Sequence, residues 1–148
     1  MPALLKALRA LQPDRNFDLD YEADQEYTNA AKELFNGGFR YVLFGHTHLA
    51  KRIEMRPGCY YLNSGTWADL MQLPPEIVSG SPDVAMQKLH ELVLTTGMNQ
   101  LDRWIIYRPT YIRLDLDGGD RILRADLCNY TGADSLSDLG APVQQAGR

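Results

Sequence analysis

The sequence predicts a mixed α/β fold dominated by strand pairs, on three observations. The apolar run Tyr41-Val42-Leu43-Phe44 ends on Gly45 and reads as a strand buried on both faces. Residues 110–116 and 121–127 alternate apolar and polar side chains around Asp117-Gly118-Gly119-Asp120, the pattern of a hairpin. Leu4, Leu5, Leu8 and Leu11, and then Ala23, Tyr27, Ala30, Ala31, Leu34 and Phe35, recur at helical spacing.

Taken in order, residues 3–11 form a first amphipathic helix, which Pro13 ends. Residues 14–20 are polar and read as a loop. The second helix carries acidic residues at its start, where the helix dipole favours them, and Gly37-Gly38 closes it. A strand follows over residues 39–44, with no earlier strand to pair with, so it would leave an apolar edge open. Residues 51–55 and 59–62 are the next strands, joined by the turn Arg56-Pro57-Gly58. Asn63-Ser64-Gly65-Thr66 breaks the second of them.

Pro74-Pro75 and Ser79-Gly80-Ser81-Pro82 bracket a loop-rich connection. Residues 83–96 read as a helix with Asp83 as N-cap, Gly97 as stop and Val84, Leu89, Leu92 and Val93 inward. A short strand over 105–107 and the hairpin complete the order, and residues 129–148 read as a flexible tail.

Composition narrows the function. With 148 residues, 45% hydrophobic, the chain can build one domain with a real core. The net charge is -4, the pI is about 5.3, and Lys and Arg are scattered, so no patch suits a nucleic-acid backbone. No apolar run reaches the roughly 20 residues of a membrane helix, and the N-terminal stretch lacks a signal-peptide core. Cys59 and Cys128 are far apart and suggest reduced thiols, so the expected location is the cytoplasm.

His46 and His48 are the residues that point to chemistry. Neutral imidazole is the commonest transition-metal ligand. Residues two apart in an extended segment project to the same side, and Gly45 lets the backbone leave the sheet and approach a ligand. Two neighbouring imidazoles could each serve one ion of a metal pair, which sits roughly 3.5–4 Å apart in two-metal hydrolases. Two loop histidines without a metal are the plain alternative.

Phe44-Gly45-His46-Thr47-His48 resembles the last signature motif, Gly-His-x-His, of the calcineurin-like metallophosphoesterases. Tyr61-Leu62-Asn63-Ser64-Gly65-Thr66-Trp67 resembles the Asn-x-Gly-(Ser/Thr) segment that follows it in bacterial members. The resemblance is clear over residues 30–67, loose over 110–127 and absent over 70–104. It implies the C-terminal part of a two-sheet β-sandwich flanked by helices, spanning residues 1–128 with an inserted helical region at about 70–104.

It also implies two divalent metal ions (Mn, Fe, Zn or Ni), one ligated by His46 and the other by His48. They hold a hydroxide that attacks a phosphate mono- or diester, in a small molecule or a nucleotide. The family's earlier motifs, Asp-x-His, Gly-Asp-x-x-Asp and Gly-Asn-His-(Asp/Glu), do not occur in this chain. The expectation is therefore a chain that supplies two histidine ligands to a parent phosphoesterase and is inactive alone.

The other candidates are open. Thr47, Asn63 and Ser64 could bind phosphate or orient a ligating histidine, and Asn63-Ser64 could equally be a plain turn. Trp67 could shape a pocket or pack. Asp69 could face the site or cap a helix, and His90 reads as a helix-surface residue. The Asp117–Asp120 segment reads as a hairpin turn, since its spacing is wrong for a calcium loop. The rival functions are a degenerate, non-enzymatic phosphoesterase-like binding module and a small metal-binding protein.

Overall fold

A computed structural model describes residues 2–13, 15–45, 47–94 and 102–130. The order is α1 (Pro2–Leu11), α2 (Gln25–Asn36), β1 (Tyr41–Phe44), β2 (Ala50–Arg56), β3 (Cys59–Ser64), β4 (Leu70–Met71), α3 (Pro75–Val78), α4 (Pro82–Leu94), a 3-10 turn (Asp102–Trp104), β5 (Ile105–Ile106), β6 (Thr110–Leu116) and β7 (Ile122–Asn129). This is a mixed α/β chain. It divides into two compact units, one from Met1–Asn16 with Asp69–Tyr107 and one from Phe17–Ala68 with Arg108–Arg148.

The second unit holds the histidine loop. Its sheet has the order β1-β3-β2. β3 is central, parallel to β1 and antiparallel to β2. Alternation along β3 sends Cys59 and Tyr61 to one face, where they pack with Val42 and with Ala31 and Phe35 of α2. Leu62 points to the other face and packs with Ala125 and Leu127 of β7. The β6–β7 hairpin lies over β2 and β3. The unit is thus layered: helix, three-stranded sheet, hairpin. Leu62 and Leu127 are fully buried, and burial of each is worth about 1.5–3 kcal/mol.

Helix α2 begins at Asp24, whose carboxylate accepts the Glu26 N–H at 2.8 Å. It stops where Gly38 adopts φ +96° and the Gly38 N–H bonds the Phe35 carbonyl. That cap delays β1 to Tyr41, so Phe39 is exposed instead of starting the strand. Leu34 is exposed as well, leaving Ala31, Phe35 and Tyr27 as the covered face.

β1 is not buried on both faces as the sequence suggests. Leu43 is 42% exposed, because β1 is an edge strand and the hairpin covers its neighbours. The strand does find a partner: β3, which comes later in the chain. β3 runs on to Ser64, so Asn63 and Ser64 lie inside the strand and the break falls at Gly65. Gly65 has φ +69°, and a Cβ there would stand 2.9 Å from the Ala50 nitrogen.

In the first unit, α1 packs on α3 and α4 through Leu5, Leu73, Ile77, Ala85 and Leu89. Leu4 and Leu11 are exposed, so only part of the leucine stripe is used. Arg9 donates to the carbonyls of Ile77 (2.8 Å) and Gly80 (2.6 Å). Gln12 bridges Met71 and Leu73. The segment between the prolines is not all loop: Pro75 starts the helical turn α3, which buries Ile77.

In α4 the Ser81 hydroxyl accepts the Val84 N–H, and Asp83 lies inside the helix instead of capping it. Val84 is exposed, while Ala85 takes the inward position. β4 and β5 pair antiparallel. The residues 95–97 expected to end the helix, the Val93 side chain and residues 131–148 of the expected tail lie outside the described residues.

Candidate metal centre

β1 delivers the chain to Gly45, where an added Cβ would meet nothing within 4 Å. Local packing therefore does not demand glycine there, and the space beside it is open. His46, the first expected ligand, lies outside the described residues. His48 is exposed, and Thr47 beside it is half-buried.

The loop is fastened from below. Asn63 stands opposite Phe44 on one side and Lys51 on the other, and is fully buried. Its Nδ2 donates to Thr47 Oγ1 at 2.5 Å, and its Oδ1 accepts the Gly65 N–H at 3.0 Å. Thr47 Oγ1 in turn faces the Leu49 carbonyl at 3.4 Å. One buried amide thus fixes the residue between the two histidines and the turn that ends β3. Asn63 has no exposed surface, and both ends of its amide are engaged.

The polar layer continues inward. Tyr61, two residues before Asn63 and on the same face, donates its hydroxyl to Glu22 Oε2 at 2.9 Å. Burial pushes the Tyr61 phenol well above its ordinary value. The Asn63 amide opposes the shift, and the Glu22 carboxylate adds to it. The other Glu22 oxygen accepts the Asp24 N–H at 3.1 Å, which links the layer to the start of α2. Lys51, 1% exposed, shares this face and donates to the Asp18 carbonyl at 2.9 Å.

Ser64 is half-buried, and its carbonyl accepts the Thr110 hydroxyl at 2.5 Å. Trp67 is exposed but fixed: its Nε1 donates to the Thr110 carbonyl at 2.8 Å, and its ring stacks on Tyr130. Asp69 is exposed and precedes a strand, so it caps no helix. His90 is exposed on α4. The Asp117–Asp120 segment is the expected hairpin turn, with Gly118 at φ +85°. Both cysteines are free and buried.

The structure thus joins Thr47 to Asn63. Sequence reasoning missed Lys51, Glu22, Thr110 and Tyr130. Lys51 had a signal, since it shares strand parity with Ile53 and Met55 and so belongs to the apolar face. Thr110 had none.

Among the described residues no three His, Cys, Asp or Glu side chains come together. Among them, too, no helix is long and apolar enough to cross a membrane. No family model, curated protein or solved structure matches the chain.

Proposed function

We propose that this chain supplies two imidazole ligands, His46 and His48, to a metal-dependent phosphoesterase. The observation that carries the reading is the fastening of Thr47 to buried Asn63. A strand that ends in an open glycine, followed by a loop held rigidly from its middle residue, is how a protein pre-orients ligands. The layering of helix, sheet and hairpin supports a kinship with one part of a two-sheet sandwich. The bound ions would supply a hydroxide nucleophile and neutralise charge on the phosphoryl oxygens. This chain's own part is narrower: β1 aims the loop, Asn63 holds it, and His48 presents its ring to solvent.

Two imidazoles cannot retain a catalytic pair, so the 148-residue chain has little or no turnover by itself. Titration with Mn or Zn by calorimetry tests the ligand role, with His48→Ala expected to weaken binding by at least tenfold. Unchanged binding in that variant would remove the proposal. Turnover of a generic phosphodiester by the isolated chain, abolished by His48→Ala, would overturn the partial-site reading.

A further inference from the structure

Trp67 and Tyr130 form a flat aromatic shelf on the unit that carries the histidine loop. Their ring centroids lie 4.9 Å apart at an interplanar angle of 24°. Trp67 is 52% exposed and Tyr130 36%. An indole placed for packing buries most of its surface, whereas here one face is covered by Tyr130 and much of the ring is open.

The shelf is rigid. Trp67 Nε1 is spent on the Thr110 carbonyl at 2.8 Å, which fixes the ring plane. The Tyr130 N–H is spent on the Pro109 carbonyl at 2.8 Å. Thr110 also holds Ser64, the neighbour of Asn63. The shelf and the loop fastening therefore hang from the same strand end, with Asn63 and Trp67 four residues apart, at most about 14 Å of chain.

We propose that this shelf stacks the base of a nucleotide. The inference rests on the phosphoesterase reading for the phosphate and on the shelf alone for the base. Stacking suits this surface because it needs exposed aromatic surface and no free hydrogen-bonding group, and the indole N–H is already engaged.

The test is nuclear magnetic resonance of the whole chain, which carries two indole N–H signals, from Trp67 and Trp104, separable by Trp104→Phe. Titration with AMP and with adenosine is expected to shift the Trp67 signal and spare that of Trp104, while ribose 5-phosphate leaves both unmoved. AMP is expected to bind at least about tenfold tighter than ribose 5-phosphate, the scale of one stacked base. Tyr130→Leu, which leaves the Trp67 bond intact, is expected to reduce that preference.

Equal binding of AMP and ribose 5-phosphate, or an unmoved Trp67 signal, overturns the shelf. Phenyl phosphate binding as tightly as AMP overturns the assignment to a base. The adenosine arm needs neither phosphate nor metal, so failure of the phosphoesterase reading would leave the adenosine shift in place.

Discussion

Removing the Asn63 side chain would leave Thr47 Oγ1 and the Gly65 N–H without their partner in a buried layer. Asn63→Ala is expected to destabilise the chain by about 1–3 kcal/mol and Thr47→Val by about 0.5–1.5 kcal/mol. In the double variant the losses should fall short of their sum, as urea unfolding would show; full additivity would mean that the bond contributes nothing. Gly65→Ala is expected to cost about 1–2 kcal/mol for the left-handed backbone, and more for the approach to Ala50. Tyr61 sets a pH dependence. Its folded phenol titrates above the ordinary value of about 10, so its contribution is complete below pH 10 and is lost as pH rises beyond it. Tyr60, raised by the Glu54 carboxylate, and Tyr111, raised by burial, act in the same direction. Tyr61→Phe should therefore shallow the alkaline fall in stability without abolishing it, and an unchanged slope would contradict the buried Tyr61–Glu22 pair.

At the scale of elements, the hairpin and the end of α2 were legible because their signals are local. Asp117-Gly118-Gly119-Asp120 specifies a turn by backbone preference alone, and Gly37-Gly38 closes α2 by the same logic. The errors lie where a neighbour distant in sequence decides. Leu43 reads as core but is exposed, because its burial depends on how far the hairpin reaches across the sheet. Asn63 reads as a strand breaker, yet pairing with β1 and β2 on both sides holds it in β3. In the candidate site, the histidine loop was visible as a motif, whereas its fastening was not, since nothing local marks Asn63 as the partner of Thr47. The start of α4 offers a direct check of the corrected cap. Ser81→Ala should cost about 1 kcal/mol and Asp83→Ala less, and the reverse order in thermal melts would restore Asp83 as the cap.

Across the whole molecule, each unit has its own core: Leu5, Ile77 and Leu89 in one, and Phe35, Tyr61, Leu62 and Leu127 in the other. Each also contains one tryptophan, Trp104 in the first and Trp67 in the second. Denaturation followed by fluorescence in Trp67→Phe and in Trp104→Phe is expected to give midpoints that do not coincide; coincident curves would show a single cooperative unit. The sequence suggested an insertion at about 70–104 but not that the first helix folds with it, because the partners of Leu5, Arg9 and Gln12 lie far along the chain. Thr110 gives this arrangement a further meaning. Its hydroxyl clasps Ser64 and its carbonyl clasps Trp67, so the chain departs after β3 and returns at β6 through one closed gateway. Whatever lies beyond a gateway of that kind can be lengthened, shortened or exchanged at small entropic cost. Descendants of this chain could trade the excursion, together with α1, for another and keep β3 and the histidine loop in register.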